Sequence, residues 1–360
     1  MIESRKDIKG RGASSNATNR FEKTTYEAEL QEWDAYLEEE TPKLKTQIFK
    51  DTSRTILSEN SSPDIGFRYS INCYRGCEHG CAYCYARPTH EYLGFSAGLD
   101  FESKIMIKEN AAALLREKLQ SKSWQPEMIM LSGNTDCYQP LERQYRLTRA
   151  CLEVLAEFRN PVGIITKNQL VLRDLDLLQE LARYRAVIVF LSVTSLKDEL
   201  CAKLEPRTSR PRARLRAMEV LAKCGIPVGV NVAPSIPGLT DHEMPAILKA
   251  ASEAGAKHAG FTPLRLPLAV APLFEEWLGE HAPEQKDRVL NAVRSIRGGK
   301  LNDSRFSMRM KGEGAHAENM EKMFDVFTRK HGLNLTRIEL SAAHFMRPGK
   351  PGDQLMLSLD

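Results

Sequence analysis

"CYRGCEHGCAYCYARP", residues 73–88, holds four of the eight cysteines in a chain of 360 residues. The spacing is Cys73-x3-Cys77-x3-Cys81-x2-Cys84. Disulfides, a zinc site and an iron–sulfur cluster all place cysteines this densely. The first residues, MIESRKDIKGRGASSNATNR, are charged and lack an apolar core, unlike a secretory signal, and Glu3 and Asp7 argue against a transit peptide. No apolar run approaches the ~20 residues needed to span a bilayer. The expected compartment is therefore cytoplasmic, with no membrane partner. There, clustered cysteines bind metal or do redox work more often than they form disulfides. Cys151 and Cys224 stand in helix-patterned apolar sequence and are expected to be buried, inert thiols.

Zinc sites are usually built from two separated ligand pairs, and no second Cys/His pair with that spacing follows. His79 lies inside the loop, and His90 follows it closely. An iron–sulfur cluster accepts several thiolates from one tight loop because it offers iron at several corners. Gly76 and Gly80 supply the backbone freedom for such a wrap. From the residues alone, zinc remains the alternative.

Outward from this stretch, β-rich runs recur at 66–72, 127–133, 161–168, 186–195, 226–234 and 256–264. Helical patterns lie between them at 110–119, 142–158, 170–184, 211–225 and 241–255, with Gly225 and Gly255 at C-cap positions. Such alternation predicts parallel βαβ units, as a doubly wound sheet or a partial barrel, with ligands beyond the carboxyl ends of the strands. The polar clusters "CYRGCEHGCAYC", "SGNTD", "TKN", "SVTS" and "NVAPSIPG" all fall at those ends. Residues 1–20 read as disordered and 21–65 as an N-terminal extension, with a helix over 25–40 and an extended segment or hairpin over 46–60. The core is expected over 66–282 and a C-terminal helical extension over 283–360.

Cys77-x3-Cys81-x2-Cys84, with Tyr83 before the last thiol, resembles the motif of radical S-adenosylmethionine (SAM) enzymes. "SGNTDCYQPLE", "TKN", "LEPRT", "GVNVAPSIPGLTD" and "KLNDSRFSMRMKGEG" extend the likeness to the branch related to spore photoproduct lyase, often labelled DNA repair photolyases. The resemblance implies an α/β fold, a partial (β/α)6 TIM-type barrel with N- and C-terminal extensions. It implies a 4Fe-4S cluster on Cys77, Cys81 and Cys84, with SAM on the fourth iron and its reductive cleavage to a 5′-deoxyadenosyl radical. Tyr83 matches the position whose backbone meets the adenine. Ser132, Gly133, Asn134, Thr135 and Asp136 match the SAM amino-group loop, Lys167 and Ser192 the carboxylate site, and Asn231 with Ser235–Gly238 the adenosine site. The implied partners are a low-potential electron donor such as flavodoxin or ferredoxin, and nucleic acid as candidate substrate.

Two departures matter. Relatives carry Pro where this chain has Cys73 and Cys137, so Cys73 is not expected as a fourth ligand, which would block the iron SAM needs. The lyases' hydrogen-donating cysteine before the Asp of "TD" is absent, since Leu131, Ser132 and Gly133 stand there. That argues against photoproduct-lyase activity itself. Cys137 is a candidate hydrogen donor, against the plainer reading of a tolerated replacement. Arg207, Arg210, Arg212, Arg214 and Arg216 form a basic run, read as a solvated helix face rather than a phosphate grip because no aromatics are interleaved. The formal charge of +4 is only a weak pointer to an anionic partner. Two other functions stay open: radical modification of a protein, RNA or small molecule, and a non-catalytic metal-binding module for nucleic acid.

Overall fold

The structure, a computed structural model, describes residues 10–21 and 44–349. The helix expected over 25–40 and residues 1–9 lie outside the described residues. Residues 10–20, read as disordered from composition, pack on the body instead, with Ala13 and Asn19 buried. The reason is specific pairing: the backbone N–H groups of Gly12 and Ala13 donate to the Glu102 carboxylate at 3.0 and 2.9 Å.

Among the described residues ten strands are present: β1 (Gln47–Lys50), β2 (Leu57–Glu59), β3 (Tyr69–Ile71), β4 (Tyr74–Arg75), β5 (Lys104–Ile107), β6 (Ile129–Leu131), β7 (Val162–Thr166), β8 (Val187–Ser192), β9 (Val228–Ser235) and β10 (His258–Pro263). Seven form the main sheet, in the order β10-β9-β8-β7-β6-β3-β2. All neighbours are parallel except β2 and β3, giving the six parallel strands expected. Among the described residues the edges β2 and β10 do not pair, so the barrel stays open on one side. Segment 46–60 is extended but not a hairpin. Its β1 joins a small second sheet, β1-β5-β4, while β2 joins the main one.

The helices are α1 (Leu99–Ser103), α2 (Ala111–Gln120), α3 (Glu142–Tyr145), α4 (Leu147–Phe158), α5 (Leu175–Arg183), α6 (Asp198–Leu204), α7 (Pro211–Lys223), α8 (Met244–Glu253), α9 (Val270–His281), α10 (Lys286–Ser295), α11 (Met308–Lys311) and α12 (Gly314–Lys330). The single helix expected over 142–158 breaks at Arg146, whose φ is 51°. Glu142 causes the break: its carboxylate accepts the N–H groups of Thr148 (3.0 Å) and Arg149 (3.3 Å), the free donors of the next helix start. None of the described helices is long and apolar enough to cross a membrane.

Strand alternation sorts the sheet's two faces. Ile164, Val189 and Val230 are fully buried in the main core, whereas Ile165, Phe190 and Asn231 are only half-buried on the opposite face. That second face lines the barrel lumen. Beneath it, the C-terminal arm crosses the strand starts. Asn334 donates from its backbone to Lys257 O (2.9 Å), Ser341 to Arg185 O (2.9 Å) and Met346 to Phe158 O (3.0 Å).

Candidate functional site

The cysteine loop leaves β4, which pairs antiparallel with β5. Gly76 then turns with φ 85°, where a Cβ would stand 2.7 Å from Ile105 Cδ1 and 2.9 Å from Phe101 O. Only glycine fits there. Cys77 N donates to Phe101 O at 2.9 Å, and short turns follow: Gly80 N to Cys77 O, Cys84 N to Cys81 O, and Arg87 N to Cys84 O. Cys77 and Cys81 are buried and Cys84 is half-buried, packing against the apolar groups of both. Burial pushes all three thiols up. Cys84 and Asp136 add to the shift at Cys77, and Glu205 with the other two sulfurs adds to it at Cys81. Lys167 opposes it at Cys81, and Arg87 and Lys167 oppose it at Cys84.

Two buried ion pairs grip this loop, and neither was anticipated from sequence. Arg87 is paired with Glu102, both without exposure, and Arg87 also donates to Cys81 O (2.9 and 3.1 Å), Ala97 O (3.1 Å) and Gly98 O (2.9 Å). Arg214 is paired with Glu205, again without exposure, and donates to Ser192 O at 2.8 Å. Glu205 accepts from the hydroxyl of Tyr83 and from that of Thr194 (2.7 Å). Burial alone would raise the Glu205 carboxyl, but the charges of Arg214 and Lys167 and the two hydroxyls hold it at about 2.

Segment 204–209 thereby straps the loop to the strand ends. Ala82 N donates to Leu204 O (3.0 Å), Arg207 N to His79 O (3.3 Å) and Ser209 N to Lys167 O (3.1 Å). The reading of the basic run as a solvated face is corrected at Arg214, which is buried, and at Arg207, which is half-buried and 3.2 Å from Glu78. A signal existed. Position 214 falls on the helical stripe of Ala217, Met218 and Leu221.

The strand ends bring several expected residues into one row. Ser192 pairs in register with Asn231, and Asn231 with Gly260. Thr166 pairs with Leu191, so Lys167 stands one step on, at the level of Ser192. The Lys167 ammonium lies 5.8 Å from the Tyr83 ring centre. Asp136 is already engaged: it accepts from Tyr138 N, Thr166 Oγ1 and Lys167 N, each at 2.8 Å, with His79 Nδ1 at 3.3 Å. These partners outweigh burial and hold its carboxyl at about 2. Asp136 thus acts as an organiser, tying the loop after β6 to Lys167 and the cysteine loop.

The rest of the 132–136 loop is arranged around Asn72, whose Oδ1 accepts from Asn134 N (2.8 Å) and Thr135 N (3.3 Å). Ser132 Oγ accepts from Cys137 N at 2.7 Å, and Gly133 O accepts from Tyr85 at 3.2 Å.

Cys137 is not brought to the thiol trio. It is buried in the main apolar core with Cys73 and Cys151, and the latter two sulfurs are 3.7 Å apart. That placement supports the plainer reading, a replacement tolerated in a core. Cys224, expected to be buried, is half-exposed at the end of α7.

The residues suit a cluster. Three thiols whose neutral forms burial favours share one loop, with Lys167 favouring the ionised form at Cys81 and both Arg87 and Lys167 favouring it at Cys84. Among the described residues no three His, Cys, Asp or Glu side chains have the spacing for a single ion. A cluster does not require it, because its irons sit at separate corners.

The Radical SAM superfamily matches residues 71–251, half of the chain. An uncharacterized protein of Mycobacterium tuberculosis is 39% identical over 232 residues, covering 64% of this chain and 68% of its own. Another, of Methanocaldococcus jannaschii, is 30% identical over 200 residues, covering 55% and 71%. In fold, spore photoproduct lyase complexed with dinucleoside spore photoproduct superposes with a TM-score of 0.59 at 17% identity, over 81% of this chain and 82% of that one. A mutant of that lyase with bound AdoMet and dinucleoside spore photoproduct gives 0.57 at 16% identity, over 79% and 80%.

Proposed function

The chain belongs to the radical SAM superfamily, and on that premise we propose that Cys77, Cys81 and Cys84 hold three irons of a 4Fe-4S cluster whose fourth iron takes SAM. The observation that carries this reading is the convergence of three thiols in one loop, buried or nearly so, beside a strand-end lysine. When bound and reduced, the cluster and SAM supply methionine and a 5′-deoxyadenosyl radical. The protein's own part is to bind, orient and exclude water.

Lys167 is the cation for the SAM carboxylate, with Ser192 beside it. Asn231 and Ser235–Gly238 face the adenosine, Tyr83 offers backbone to the adenine, and the 132–136 loop receives the amino group. Asp136 contributes by orienting Lys167 through the backbone N–H it accepts. A low-potential donor of the flavodoxin or ferredoxin type would supply the electron. Nucleic acid carrying a lesion is the leading substrate class, and radical modification of a protein, RNA or small molecule is the second reading.

Anaerobic reconstitution tests the cluster. About four irons with matching sulfide are expected per wild-type chain, and none retained by Cys77→Ala, Cys81→Ala or Cys84→Ala. Zinc alone in the wild type, or iron unaffected by the three changes, would refute the assignment.

A further inference from the structure

Among the described residues the two edges of the main sheet, β2 and β10, are not paired, yet residues after β10 reach across the opening in two places. In one, Arg309 donates two hydrogen bonds to Asp64, at 2.7 and 2.6 Å, and both charges are satisfied. In the other, the guanidinium of Arg265, two residues past β10, lies 4.6 Å from the ring centre of Tyr85. Tyr85 follows Cys84 directly, is 44% exposed, and donates to Gly133 O after β6. This contact therefore frames the lumen entrance between the cysteine loop, the β6 end and the β10 end.

Arg265 differs from Arg309 in one respect. It is half-buried, yet among the described residues no carboxylate or carbonyl accepts a hydrogen bond from it. The nearby carboxylate, Asp64, is taken by Arg309. A guanidinium carries five donors in a fixed fork, and leaving them unmatched in a half-covered position is costly. Stacking on an aromatic ring uses the face of the fork and leaves its N–H edge free for a planar oxyanion.

We propose that Arg265 and Tyr85 anchor the substrate: the guanidinium edge grips an oxyanion, phosphate or carboxylate, and the tyrosine ring packs against a planar group beside it. Calling the ligand the substrate rests on the cofactor reading above. The seat itself rests only on Arg265 and Tyr85.

The test is calorimetric titration of reconstituted, SAM-saturated protein with thymidine 5′-monophosphate, hippurate and thymidine. SAM keeps Lys167 from taking the probes. At least one of the two anionic probes binds more tightly than thymidine, and Arg265→Ala weakens that probe about tenfold or more, the worth of a charge-assisted hydrogen bond. Arg265→Lys recovers only part of the loss, because the ammonium lacks the fork. The stronger anion tells phosphate from carboxylate. If neither anion outbinds thymidine, or if Arg265→Ala binds them as the wild type does, the seat is refuted. Should Arg265→Ala misfold, unchanged anion affinity in Arg265→Lys refutes it equally. Iron content and SAM binding on the same samples separate the two ideas. Anion binding that depends on Arg265, without SAM binding, overturns the cofactor reading and leaves the seat standing, and the converse overturns the seat alone.

Discussion

The two buried Glu–Arg pairs beside the cysteine loop look alike but hold different things. Arg87–Glu102 is local. Arg87 reaches backbone carbonyls of the loop and of the turn before α1, and Glu102 collects the N–H groups of Gly12 and Ala13. Arg214–Glu205 lies far along the chain from the loop and joins it, through Tyr83, to Thr194 and Ser192 at the end of β8. The first pair fixes the shape of the loop and the second fixes its register against the strand ends. A cofactor held by both loop and strands needs both.

The largest expected effect tests the first pair. Removing one partner of a buried ion pair strands the other, at a cost of about 3–5 kcal/mol. Arg87→Met and Glu102→Ala should lower apo-protein stability by that order in urea titration. Arg87→Met should also lose iron on reconstitution, because Cys81 O loses its donors, and Glu102→Ala should lose it because Arg87 loses the carboxylate that holds it in place. Stability and iron content near wild type would remove the pair from the account.

Acid should separate the regions next. His90 is 1% exposed and packs edge-on to Phe101, with ring centres 5.6 Å apart, on the Glu102 side of the loop. Burial pushes its ring down to about 4 from 6.5 despite the backbone oxygens of Lys104 and Asp100. Below pH 6.5 the unfolded chain takes up a proton that the folded one refuses. Stability therefore falls as pH drops from 6.5 to about 4, by about 3 kcal/mol for such a shift, and levels off below. Over that window Glu205 and Asp136 stay ionised, since both carboxyls are held at about 2. His90→Phe should flatten the slope between pH 6.5 and 4, and an unchanged slope would assign it elsewhere.

The second pair should be felt in SAM affinity. Glu205→Gln keeps the shape and one acceptor oxygen for the Tyr83 and Thr194 hydroxyls, but removes the charge beside Lys167 and the acceptor facing Arg214, while Lys167→Met removes the cation itself. Lys167→Met should weaken SAM binding by about 1.5–3 kcal/mol, the value of hydrogen bonds to charged groups, and Glu205→Gln by less. Equal and negligible losses would detach this pair from the cofactor.

The smallest effect concerns the N-terminal stretch. A Cβ on Gly12 would stand 1.7 Å from Gly80 O, so Gly12→Ala must shift residues 11–13 off the loop, at about 1–3 kcal/mol. Faster proteolysis before residue 20, with iron content largely kept, is the expected result.

Much of this was legible in sequence for a physical reason. Strand and helix periods are local, so the six parallel strands and the helices over them follow from alternation and 3.6-residue stripes. The cysteine spacing is local too, and its glycine at 76 marks the turn the loop needs. What could not be read depends on distant partners. Nothing near Glu102 reveals that it meets Gly12, and nothing near Arg265 reveals Tyr85. The strands β4 and β5, only two and four residues long, pair through contacts no periodicity announces. The burial of Cys137 could not be read either, because neighbouring residues in a loop can turn to different sides. Asp136 faces Lys167 and His79, whereas the next residue is buried in the core.

On the proposed reading, the trio Cys77, Cys81 and Cys84 serves SAM chemistry. The direct measurement is 5′-deoxyadenosine by mass spectrometry after anaerobic reduction of reconstituted protein with SAM. Product is expected from the wild type and none from Cys84→Ala. A fully loaded, reducible cluster that neither binds SAM nor forms 5′-deoxyadenosine would contradict that reading.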